Sequence, residues 1–127
     1  MAKVVGVGGV FFKSADPAGL GAWYQKWLGI PVESWGGVGF QPGAMPPGGA
    51  TVWSPFPADT KYFGDGAQTF MINLIVDDLD GALAQVKEGG ATVAGAPESM
   101  EYGRFGWFVD PDGNRVELWQ PAEAPGA

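Results

Sequence analysis

Hydrophobic and polar positions along the chain divide it into two similar halves. Residues 4–12 (VVGVGGVFF) read as a glycine-interrupted strand. A helix then starts at Asp16, whose side chain can cap it, with Pro17 fitting the first turn. Leu20, Trp23, Tyr24, Trp27 and Leu28 fall on one face of that helix, and Gly29 ends it. The second half repeats the plan. A strand over 69–76 leads to a cap at Asp77 or Asp78, an apolar stripe of Leu79, Ala82, Leu83 and Val86, and a stop at Gly89 and Gly90. Asp16 to Gly29 and Asp77 to Gly90 are equally spaced, which reads as an internal duplication. Short strands are expected after each helix, at 32–35, 38–41 and 50–56 in the first half and at 92–94, 104–109 and 115–120 in the second. Residues 42–49 form a loop, and 57–67 link the halves.

The run Phe108-Val109-Asp110-Pro111-Asp112-Gly113-Asn114-Arg115-Val116-Glu117-Leu118-Trp119 is strand, tight turn, strand. Pro111 presets the first central turn position, Asp110 can cap the turn, and Gly113 accepts a positive φ. After the turn, Arg115, Glu117 and Trp119 alternate with Val116 and Leu118, so Glu117 points away from the aliphatic face. This Asp-Pro-Asp-Gly-Asn-x-Val-Glu-Leu run, with the Trp-Tyr-x-x-x-Leu-Gly helix end at 23–29, resembles the vicinal oxygen chelate superfamily of glyoxalases, extradiol dioxygenases and bleomycin-resistance proteins. The resemblance spans nearly the whole chain. It implies an α+β fold of two βαβββ modules, about 4–56 and 68–120, whose curved mixed sheets enclose a cup with the helices outside. The whole of 1–127 is then one domain, with a tail at 121–127, rich in Pro, Ala and Gly, that frays.

In that family the hairpin glutamate is a metal ligand, and the first, fourth and fifth strands supply the others. Carried over, those positions fall on Gly9, on Trp53 or a neighbour, and on Met71 (Phe70 if the register slips). Only Glu117 can bind a metal, and the chain holds no histidine and no cysteine. Imidazole or thiolate metal sites and Ser-His or Cys-His nucleophiles are therefore excluded. Neither a metal nor another cofactor is expected. The runs at 77–80 and 110–112 read as a helix cap and a turn rather than a calcium loop.

Strand alternation, independent of the resemblance, places Phe11 and Lys13 on the cup side of the first strand, Met71 and Asn73 on the fifth, and Trp107 with Glu117 on the last two. Glu117 then sits among Trp53, Trp107 and Phe11, as a base, as an anchor for a cationic group, or in an ion pair with Lys13 or Arg115. Lys13 binds a ligand carboxylate or is solvated. Asn73 needs polar partners among apolar neighbours. Trp53 and Trp107 suit stacking on a flat ligand, while Trp23 and Trp27 belong to the core. Glu101 and Tyr102 stand at the expected rim, either as ligand contacts or as ordinary loop.

The formal charge is −7, with 7 Lys plus Arg against 14 Asp plus Glu. Such a surface repels nucleic acid and anionic membrane. No stretch is long enough to span a bilayer, no signal-peptide pattern opens the sequence, and absence of cysteine fits the cytoplasm. The expected function is metal-free binding of an apolar, aromatic or cationic small molecule, as a homodimer. The alternative is a lyase, isomerase or dioxygenase-type enzyme using Glu117 as base or metal ligand. A third class is a module that pairs with another protein through exposed aromatics.

Overall fold

The computed structural model describes residues 1–122. The tail expected to fray lies outside them from residue 123 onward. The architecture is α+β. In chain order it has α1 (Pro17–Leu28), a single 3₁₀ turn (Pro42–Ala44), β1 (Ile72–Ile75), α2 (Leu79–Glu88), β2 (Thr92–Val93), β3 (Glu98–Met100), β4 (Gly103–Val109) and β5 (Arg115–Pro121). The strands form one curved, open mixed sheet in the order β1-β5-β4-β2, with β3 also on β4. β1 runs parallel to β5, and β4 and β5 form an antiparallel hairpin.

Both helices begin and end where local chemistry dictates. The Asp16 carboxylate accepts the Gly19 N–H at 3.0 Å, and Asp78 accepts that of Gly81 at 3.1 Å. Of the two candidate caps for α2, Asp78 is therefore the one used. The apolar stripes meet Phe108, Val116 and Leu118 from one face of the hairpin, and these residues form a single core with Leu20, Tyr24, Leu79, Leu83 and Val86. Gly106 permits that approach: a Cβ there would lie 2.9 Å from Leu83 Cδ1. Trp23 and Trp27 are half-buried. Trp23 stacks on Phe108 at 5.9 Å, and Trp27 lies against Gly89.

The hairpin turn is fixed by Asp110. Its Oδ1 accepts the N–H groups of Asp112 and Asn114 at 2.9 and 3.0 Å, and Gly113 takes φ 83°. Oδ2 accepts the Tyr24 hydroxyl at 2.9 Å, tying the turn to α1. Burial, then the Asp110 charge and hydrogen bond, push the Tyr24 phenol far above the ordinary tyrosine range.

The second half thus forms the expected strand-helix-strand-strand-strand unit, its second strand split into β2 and β3. The short Glu98–Met100 piece had no signal in the alternation. The first half corrects the expectation. Residues 4–12, 32–35, 38–41 and 50–56 are not paired as strands. A turn does start between two of them, where Glu33 N–H donates to Gly37 O at 2.8 Å, but no ladder follows. A strand needs a neighbour for its backbone groups, and among the described residues of one chain these segments have none. Their side chains lie open: Val5 is 90% exposed, Phe11 95% and Trp53 79%. Among the described residues no helix is long and apolar enough to cross a membrane.

Candidate functional site

The sheet face turned away from the helices carries Arg115, Glu117 and Trp119 from β5, Phe105 and Trp107 from β4, and Asn73 from β1. Strand register sets this grouping, pairing Glu117 with Trp107 on one side and with Asn73 on the other. Phe105 and Trp119 stack at 5.9 Å with nearly parallel rings.

Glu117 is buried, at 7% exposure, and its carboxylate is bonded on both oxygens. Oε2 accepts the Trp107 indole N–H at 2.9 Å and the Tyr62 hydroxyl, and Oε1 accepts the Asn73 amide at 2.7 Å. All three donors are neutral. Neither Lys13 nor Arg115 forms an ion pair with it among the described residues. Hydrogen bonds to the charged form are what hold a buried carboxylate in place without a counter-ion. Tyr62 responds in kind: its burial, then its hydrogen bond to Glu117, push its phenol well above the ordinary tyrosine range, so it stays a donor.

Tyr62 comes from the segment read as a linker. That segment folds back over the sheet face: Phe56 stacks on Tyr62 at 5.6 Å, and Tyr62 meets Trp107 edge-on at 6.0 Å. Gln68 pins it, accepting the Arg115 N–H and donating to the Arg115 carbonyl, both at 2.8 Å. The aromatic pair Tyr62-Phe63 in a glycine- and proline-rich stretch was the sequence signal for this return.

The site residues expected from sequence divide into two groups. Glu117, Trp107 and Asn73 are brought together, and Met71 is half-buried just before β1. Phe11, Lys13 and Trp53 lie exposed in the unpaired first half, and Tyr62 supplies the cover that Phe11 and Trp53 were expected to give Glu117. Glu101 and Tyr102 occupy the turn from β3 to β4 with exposed side chains, although the Tyr102 carbonyl accepts the Trp119 indole N–H at 2.9 Å.

The donor set does not fit a metal. An indole N–H has no lone pair to give, and Tyr62 and Asn73 point donors at the one carboxylate present. Among the described residues no group of three or more acidic side chains is placed to hold a metal ion.

Residues 9–119 match the family model of the glyoxalase-like domain. No curated protein matches the sequence. Two integron cassette proteins of known structure, from V. cholerae and V. Pseudocholerae, are similar over 96% and 97% of this chain and 99% of theirs, each with TM-score 0.56 at 18% and 20% identity; they share the fold. An antibiotic binding protein from Streptomyces sp. CB03234, TnmS3, is 38% identical over 42% of this chain and 45% of its own length, with TM-score 0.38. With the hairpin, the helix pair and the mixed sheet all in place, the family match over nearly the full length makes this chain a member of the glyoxalase-like domain family.

Proposed function

We propose that this protein binds a small molecule on the Glu117 face of the sheet without a metal, and that it does so as a cytoplasmic homodimer. The observation that carries the reading is the state of Glu117. The one acid that the family's metal chemistry would use is sequestered by Tyr62, Trp107 and Asn73. A carboxylate bonded on both oxygens is a rigid post that fixes three side chains around a cleft. Aromatic walls with a few oriented polar groups suit a flat or apolar ligand. The homodimer reading rests on the first half. Among the described residues its strand-competent segments lack partners in one chain, and β1 pairs only with β5, leaving its outer edge open.

Tryptophan fluorescence tests the reading. Flat aromatic ligands should change the emission of the tag-free protein saturably, with the response reduced in Trp107→Phe. Turnover of the hemithioacetal of methylglyoxal and glutathione would overturn it in favour of an enzyme.

A further inference from the structure

Arg115 is the charged group on this face that the reading above leaves without a task. Its guanidinium lies over the Trp107 ring, with Cζ 5.4 Å from the centroid. Its Nε is buried and has no hydrogen-bond partner among the described residues. No acid pairs with it among the described residues, in a chain with 14 acids and 7 bases. A buried guanidinium N–H without an acceptor is rare, because solvent has been removed and nothing has replaced it. Two cavities, of about 410 and 470 Å³, both have Arg115 and Ala94 in their walls and so adjoin there. The first adds Lys61, Tyr62, Glu98 and Trp107. Two cations thus meet one acid at its wall, and that acid, Glu98, is exposed and screened by solvent.

We propose that this cavity takes a small aromatic carboxylate, with its anionic end on Arg115 and Lys61 as the second cation. The proposal rests on the reading that this face binds a small molecule, and it sets an anionic ligand in place of the cationic one among the sequence expectations. The planar guanidinium offers its two terminal nitrogens as one edge of a fork that matches a carboxylate. Stacking on Trp107 fixes the plane of that fork. The ligand's apolar part then meets Ala94, Ala96 and the aromatic wall of Tyr62 and Trp107.

Calorimetric titration of the tag-free protein with benzoate, benzamide and benzylamine tests this, since the three probes share a ring and differ in charge. Benzoate should bind at least about tenfold more tightly than the other two. Arg115→Gln should remove that preference, weakening benzoate far more than benzamide, and Arg115→Lys should restore only part of it, because lysine has no fork. The wild-type series stands alone if a variant fails to fold. Benzoate binding no tighter than benzamide, or unchanged in Arg115→Gln, overturns the anionic site. Benzylamine or benzamide binding in that case leaves the cup reading standing. No binding of any probe brings down both.

Discussion

The two halves of this chain carry the same plan and have different fates. Both helices form, capped alike by Asp16 and Asp78. Among the described residues only the second half has a sheet. A helix closes its hydrogen bonds within itself, so a cap, a stripe and one docking face suffice. A strand depends on what lies beside it. The second half solves this with the Asp110 turn, which delivers β4 to β5, and with β1 arriving alongside β5. The first half has the alternation and the β-branched residues but no such neighbour, so apolar side chains such as Val10 and Trp53 stand in solvent. Strand propensity in this chain is a capacity that a partner must complete.

Substitutions in either half test that contrast. The largest effect belongs to the built half. Phe108→Ala, at a fully buried position under both helices, should cost about 3–5 kcal/mol in chemical denaturation. If the first half is completed by a second copy, Val10→Asp should convert a sedimenting dimer to monomer; a wild-type protein that sediments as monomer would remove the homodimer. Tyr24→Phe leaves Asp110 Oδ2 short of a donor in a buried setting and should cost about 1–3 kcal/mol. The smallest effect is spectroscopic. The folded-state pKa of Tyr62 is raised above its ordinary value of 10.0, so its contribution to stability is whole below that pH and is lost only as pH climbs through the higher folded-state value. Tyr62→Phe should therefore leave the tyrosine absorbance titration of the folded protein unchanged around pH 10; a lost step there would show Tyr62 ionising normally.

What was legible in the sequence follows the same division. The hairpin could be read because its turn chemistry is local and its period-2 alternation continues on both sides, and this put Glu117, Trp107 and Arg115 on one face correctly. Asp16, Pro17 and Gly29 marked α1 for similar local reasons. The fifth-strand alternation placed Asn73 toward the cup, where it meets Glu117. Phe11, Lys13 and Trp53 were assigned a side of strands that do not pair within one chain, and a side means nothing without the strand. Tyr62 was missed for the opposite reason. Its contact with Glu117 spans 55 residues of sequence and comes from a loop, where no periodicity points a side chain anywhere.

The central claim is that Glu117 serves its hydrogen-bonded neighbours and not a metal. Elemental analysis of tag-free protein, followed by titration with nickel, zinc, manganese and iron(II), tests it most directly. The account predicts no stoichiometric metal, before or after titration. Metal near one per chain, lost in Glu117→Ala, would contradict it and return the site to the metal chemistry of its family.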